Sequence, residues 1–387
     1  MSILLLFGGG GGGGGFVPPT ITPGVISYRL DIYDTAGVLQ YQLTDFTGLY
    51  FVKRVNSPGI IQFSVSGDHE ILGHIADKWV VEVWRRQDTW TREAIGLYRM
   101  LTWVHGTQST AMLFCNGIMS MLDWRIIAWT AGYADRSKFT GVNAETIANT
   151  LVKYNATTSA TVVNGRLRDG SISGVSVEVD GNEGNSLDWF CAYDNLLESL
   201  QELAQVGGGD FDLVQLTPKT TPTTWQWRWY KDQLGSDRST DVTFALARGN
   251  MANPVYQDNK TQEKTVAVVG GTGEGNLRDY VIRTGSGYHI TDNNIEMFVG
   301  ATDVDTTAGL NTRGDQKLAE VEAVKSFSFD VLQIPSCLYG VHYFLGDKVA
   351  AVNPYNDVSY IVKIQAVMIG MEDDGSERIA VEMSEPL

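Results

Sequence analysis

Residues 265–278 read Thr-Val-Ala-Val-Val-Gly-Gly-Thr-Gly-Glu-Gly-Asn-Leu-Arg, a β-branched run that ends in a glycine cluster. Such a loop can do chemistry when successive backbone N–H groups converge on a phosphate at the start of a helix and a lysine or magnesium ligand completes the charge balance. Those completing parts are missing. No Gly-Lys-Ser/Thr follows, Glu274 puts a negative charge inside the loop, and Tyr280, Val281 and Ile282 favour a strand over a helix. The stretch reads as strand, turn, strand, and no nucleotide cofactor is assigned to it.

The other reactive residue types are equally incomplete. Asp68-His69-Glu70 with His74 resembles a zinc helix, but its histidines are five apart where that motif needs i and i+4 around the glutamate, and no third ligand is evident. Ser286, in Thr284-Gly285-Ser286-Gly287, lacks the Gly-x-Ser-x-Gly frame of a nucleophile elbow. Asp303 with Asp305, and Asp373 with Asp374, stand in cap and turn contexts where solvated acids are ordinary. Trp225, Trp227 and Trp229 alternate on one strand face, which suits either a platform for sugar rings or, more economically, the core of a sheet. Cys115, Cys191 and Cys337 are odd in number and far apart, so buried free thiols are expected rather than a disulfide framework or a zinc ribbon. No catalytic, cofactor-binding or metal-binding residue is assigned.

The 387 residues suffice for two or three cores. With 45 acidic against 29 basic residues the net charge is -16, which disfavours an outer surface that grips nucleic acid by counterion release. The same excess keeps a passing duplex from sticking. The chain opens with an apolar hexamer at 2–7 and eight consecutive glycines at 8–15. This leader lacks the basic region and cleavage site of a signal peptide, and it is expected to be flexible in isolation and to dock on a neighbouring subunit after assembly. No stretch approaches the roughly 18 to 20 apolar residues of a membrane-spanning helix, so no stable membrane insertion is expected.

The elements that would position these residues are mostly strands. Alternating β-branched and aromatic runs at 26–33, 38–43, 49–55, 59–65, 79–85 and 95–104 suit a barrel or sandwich, with one helical interruption at 68–77. Further on, 111–115 reads as a strand, and helices are expected at 118–130, at 143–154 behind an Asn143 cap, and near 191–206, where Gly207-Gly208-Gly209 stops the pattern. Strands at 211–216 and 225–230 follow. The last third adds strands at 242–247, 255–257, 266–269, 280–283, 328–334, 348–352, 360–371 and 377–383. One helix at 306–324 interrupts them, weakened by Gly309 and Gly314, and a turn at 372–375 joins the final pair.

Several phrases, in order, resemble the hub (minor tail or baseplate) proteins at the tail tip of long-tailed bacteriophages. They are Leu30-Asp-Ile-Tyr-Asp-Thr-Ala-Gly37, Arg54-Val-Asn-Ser-Pro-Gly59, Trp84-Arg85-Arg86, Leu122-Asp-Trp-Arg-Ile-Ile127 with Ala134-Asp135, and the helix at 197–204. Gly235-Ser-Asp-Arg-Ser239, Gly249-Asn250, the glycine loop with Arg278, and Leu345-Gly-Asp-Lys-Val349 complete the series. The resemblance runs from about residue 25 to the end. It implies a β-rich α+β fold similar to the trimeric baseplate hub of contractile phages. The expected division is a leader at 1–24, a first β-barrel-like, tail-tube-related domain at 25–115, an inserted mixed α/β middle domain at 116–236, and a second barrel-like domain at 237–387. The implied role is structural, at the tail tip of a virion assembled in the host cytoplasm. The implied partners are two further copies, a distal tail or tube protein, a tip, fibre or tape-measure protein, and DNA in transit through the lumen. The alternative is a carbohydrate-binding or wall-degrading tip protein, which the tryptophan ladder motivates.

Overall fold

The computed structural model describes residues 26–106, 109–131, 135–216, 222–291, 293–355, 357–371 and 376–384. The leader and the turn at 372–375 lie outside the described residues. The first third forms seven strands: β1 (Ser27–Tyr33), β2 (Leu39–Leu43), β3 (Thr47–Arg54), β4 (Ile60–Ser66), β5 (Val80–Arg86), β6 (Trp90–Val104) and β7 (Thr110–Gly117). Asp34 shows how local chemistry sets the first turn. Its Oδ1 accepts the N–H groups of Ala36 and Val38, each at 2.9 Å, and Gly37 takes φ +84°, folding β1 back on β2. The helix expected at 68–77 is a single 3-10 turn, Glu70–Gly73.

The middle third holds α1 (Ser120–Asp123), β8 (Ser137–Asn143), α2 (Ala144–Ala156), β9 (Val175–Val177), β10 (Ser186–Cys191), α3 (Leu196–Gly207), β11 (Gly209–Gln215) and β12 (Trp225–Lys231). The long helix expected at 118–130 shrinks to the one turn of α1. The backbone beyond it is claimed by distant acceptors: Asn155 Oδ1 takes the N–H groups of Ala128 and Trp129, and the carbonyl of Asp194 takes that of Ile127. Asn143 stands at the N-cap of α2, yet its amide donates to the Asn182 carbonyl and makes no cap bond. Asn195 does cap α3, accepting from Leu197 and Glu198, and Gly208 at φ +71° ends it. β8, β9 and β10 are strands that the polar composition of their surroundings conceals.

The last third comprises β13 (Thr243–Phe244), β14 (Met251–Asn259), β15 (Val266–Gly270), β16 (Tyr280–Thr284), β17 (Glu296–Gly300), α4 (Thr307–Glu320), β18 (Val324–Val331), β19 (Lys348–Asn353), β20 (Val358–Met371) and β21 (Glu377–Ser384). Thr306 Oγ1 accepts the Gly309 N–H and starts α4. The two glycines that weaken this helix by propensity are what let it pack. A Cβ on Gly309 would meet the Phe190 ring at 2.2 Å, and one on Gly314 would meet Arg283 at 2.5 Å and Val269 at 2.8 Å. The helix ends at Glu320, so Val324 opens β18 instead of joining the buried helical face.

Thirteen strands share one sheet, ordered β14-β18-β21-β20-β3-β4-β7-β6-β5-β1-β2, with β19 against β20 and β13 against β19. The joint is antiparallel β3–β20, from Arg54 opposite Ala366 to Tyr50 opposite Gly370. A single core follows, in which Leu30, Phe51 and Phe63 pack with Phe244, Phe329 and Ile369. The strands of the two barrel-like units expected at 25–115 and 237–387, apart from β15, β16 and β17, therefore form two halves of one sheet. No described sheet closes on itself, because β14 and β2 remain at opposite ends of the path.

Two smaller cores complete the molecule. In one, β12 presents Trp225, Trp227 and Trp229 at 4, 0 and 7% exposure to α2 and α3, alongside Ile147, Leu200 and Leu203. The tryptophan face is thus core and is closed to a sugar. In the other, α4 covers one face of the three-stranded sheet β16-β15-β17. We expect Trp227→Ala to cost about 3–5 kcal/mol, the range for truncating a buried aromatic, measured by urea denaturation.

Candidate functional site

Among the described residues, most of the side chains singled out as reactive have structural partners. The glycine loop is a turn between the antiparallel strands β15 and β16. Four N–H groups at its two ends are taken up within it: Gly271 donates to the Asp279 carbonyl, Asp279 to Thr272, Leu277 to Glu274 and Arg278 to Gly275. Arg278 directs its side chain to the Gly273 carbonyl and over the Phe298 ring, not to Glu274. His69 Nδ1 accepts the Ile71 N–H at 3.1 Å, while His74 tilts against Tyr41. Among the described residues no three His, Cys, Asp or Glu groups are placed to hold a metal. Ser286 bonds Glu322, Asp303 receives Arg313, and Asp305 pairs with Lys138. Asp373 and Asp374 lie outside the described residues. The three cysteines are free and buried, and burial pushes each thiol well up, Cys337 to about 11.

What converges instead is a polar junction between the large sheet and the middle third. Asn56 sits at φ +55° in the turn after β3. Its Oδ1 accepts the Phe211 N–H at 2.7 Å, its amide donates to Asp210 Oδ1 at 2.9 Å, and its carbonyl receives Gln201 of α3. Asp210, buried at the start of β11, pairs with buried Lys363 of β20 at 2.5 Å and accepts the Leu234 N–H at 2.7 Å. Beside it, Asp347 accepts from the backbone of Ser236 and of Phe344 and pairs with Arg238 at 2.9 Å. Gly235 is required there: a Cβ would stand 2.4 Å from the Asp347 nitrogen. Three phrases separated by most of the chain, 54–59, 235–239 and 345–349, thus meet within one hydrogen-bonded knot. Sequence reasoning marked the phrases but offered no signal that they touch, or that Asp210 and Lys363 hold them.

A second ionic group ties the two halves of the sheet. Arg85, at the end of β5, makes a two-pronged pair with Glu377 of β21, both bonds at 2.7 Å, and Tyr28 donates to the same carboxylate. Lys53 donates to Tyr339 at 2.9 Å and lies 3.3 Å from Glu93. Burial works against its charge, but those two neighbours more than offset this and hold its pKa above the ordinary lysine value. A polar cleft of about 290 Å³ opens between β3, β6 and β11, lined by Lys53, Arg92, Glu93 and Asp212 among apolar neighbours. Burial raises Asp212 to about 6, against the pull of the Leu213 N–H and of Lys53. The arrangement fixes one unit against another, and no two groups in it pair as nucleophile and base.

A family model described as Siphovirus ReqiPepy6 Gp37-like protein matches residues 29–383. The chain belongs to that siphovirus family. No curated protein matches it. Among solved structures, the 43 kDa tail protein of prophage MuSo2 from Shewanella oneidensis is similar at 14% identity and TM-score 0.58, over 93% of this chain and 98% of that one. The prophage tail protein gp18 from Listeria monocytogenes is similar at 12% identity and TM-score 0.53, over 92% and 94%. A tail protein from Neisseria meningitidis is similar at 10% identity and TM-score 0.54, over 93% and 97%. These likenesses show that the siphovirus chain shares the fold of prophage tail proteins.

Two outcomes test the junction. Lys363→Met leaves the Asp210 carboxylate buried without its cation and is expected to cost about 3–5 kcal/mol, whereas adding Asp210→Asn recovers most of the loss in a denaturant titration. Asp212 has a folded pKa of about 6 above an unfolded value of 3.8, so its contribution is full below the lower value and lost as pH rises through the upper one. Asp212→Asn, neutral throughout, should raise stability at pH 8 by about 1–2 kcal/mol, with the gain shrinking as pH falls from 6 towards 4.

Proposed function

We propose that this siphovirus protein is a tail hub, three copies of which form a ring between the tail tube or distal tail ring and the tip or fibres. The observation that carries the reading is the β3–β20 ladder, which joins two sheet halves within one chain. Each half supplies one tube-related module, so three chains present six such positions to a sixfold tube and three copies of the inserted middle to a threefold tip. The rigid polar junction supports this reading because it fixes the insertion against the sheet. A closed ring is the natural outcome of repeated identical contacts. The role is structural rather than catalytic, the place is the tail tip of the virion, and the acid excess lets DNA traverse the lumen without adhering.

The expected particle has about three times the 42.5 kDa mass of one chain, with threefold class averages by cryo-electron microscopy. A chain that stays single under tail-assembly conditions, and is absent from purified tail tips, overturns the proposal.

A further inference from the structure

Two exposed apolar surfaces of this chain carry opposite charge. The first lies beyond the C-terminal end of α2, where Val162, Val163 and Leu167 are 58, 95 and 63% exposed. Exposed Arg168 and buried Arg166 stand on either side of Leu167 in the chain, and Arg125 lies against the Gly170 and Ser171 carbonyls that follow. The Arg166 guanidinium is turned inward onto the carbonyls of Ile126 and Arg168 at 3.0 and 2.7 Å, and Arg125 donates to the carbonyl of Ser171 at 3.1 Å. The adjacent carboxylate, Asp169, is engaged by the Val162 N–H at 2.9 Å, and none of the three arginines has an ion pair among the described residues. Burial and mutual repulsion hold Arg125 and Arg166 below the ordinary arginine value. A positive island thus stands on a chain of net charge -16.

The second surface is the face of β16-β15-β17 opposite α4. Ile282 and Phe298, 59 and 62% exposed, flank Val268 in register, and Tyr280 extends the row. Glu296 and Asp279 border it without an ion pair among the described residues, and Arg278 is held over the Phe298 ring at 5.9 Å.

We propose that the basic apolar loop of one copy docks on the acidic apolar sheet face of the next. The inference rests on the ring reading and names the surfaces through which neighbours meet. A contact between two copies of the same loop would set arginine against arginine, and like charge across an interface is strongly penalised. Two unlike, complementary surfaces on one chain meet the requirement of a head-to-tail contact, which closes into a ring when the rotation allows. Bare valines and a leucine at the centre of the basic island suit a protein surface better than a phosphate backbone, which would need polar contacts there.

Charge reversal on the full chain tests this. Arg168→Glu and Glu296→Lys each sit on the surface, and each alone is expected to weaken self-association about tenfold or more by sedimentation, while the double variant returns to within a few-fold of the wild type. Val163→Asp should weaken it alike, and melting curves confirm that every variant folds. Single variants that assemble as the wild type does overturn this contact and leave the ring standing. A double variant that stays weak overturns the pairing of the two surfaces. If Arg168→Glu loses affinity for a short DNA duplex and keeps its assembly, the island serves nucleic acid and the inference falls. A wild-type chain that is single at every concentration removes ring and contact together.

Discussion

The backbone ladder between β3 and β20 is the constraint on which the molecule depends. Residues 47–54 and 358–371 must find one another across nearly the whole chain before the central core can close. The equilibrium cost of that separation is modest, because loop-closure entropy grows only with the logarithm of length. The kinetic cost is larger, since pairings this remote in sequence form slowly. Once they form, everything between β7 and β13 leaves and re-enters a fixed frame. The middle third therefore builds its own core around Trp227 and needs only a few contacts to set its orientation.

Those contacts are polar, and the physics of burial explains why. An apolar seam would stabilise the middle third against the sheet as well or better, since a buried ion pair rarely outperforms well-packed hydrocarbon. It would do so in several orientations of similar energy. Asp210, gripped by Lys363, Asn56 and the Leu234 N–H, accepts one geometry, and Asp347 repeats the device a few residues away. For the hub role proposed above, a fixed orientation counts for more than the last increment of stability.

Much of this was legible in the sequence wherever the cause is local. The Asp34 turn, the Gly208 stop and the alternating tryptophans announce themselves, because the deciding residues lie within a few positions of each other, whereas the cap read at Asn143 makes no cap bond and the one at Asn195 went unread. The phage-hub phrases located the important turns without saying what they touch. Legibility failed where distant partners decide. Residues 124–129 have helical periodicity, yet Asn155 and Asp194 take their backbone donors. Gly309 and Gly314 look like defects until Phe190 and Val269 are seen against them. The resemblance implied two barrels, and strand spacing could not correct it, because spacing reports strands and turns, not whether a sheet closes or continues into another stretch of chain. The arginines around Val163 carried no motif at all, being gathered by the fold of a loop.

The buried, unpaired cysteines bear on the life of the particle rather than on its shape. The tail role proposed above would carry the protein from the reducing cell in which it is made to oxidising surroundings outside it. Thiols at Cys115, Cys191 and Cys337 that are sealed from water and held protonated are poor nucleophiles in either place. The fold needs no disulfide to mature and offers no accessible thiol to oxygen afterwards. Burial thereby makes these thiols indifferent to that change of compartment.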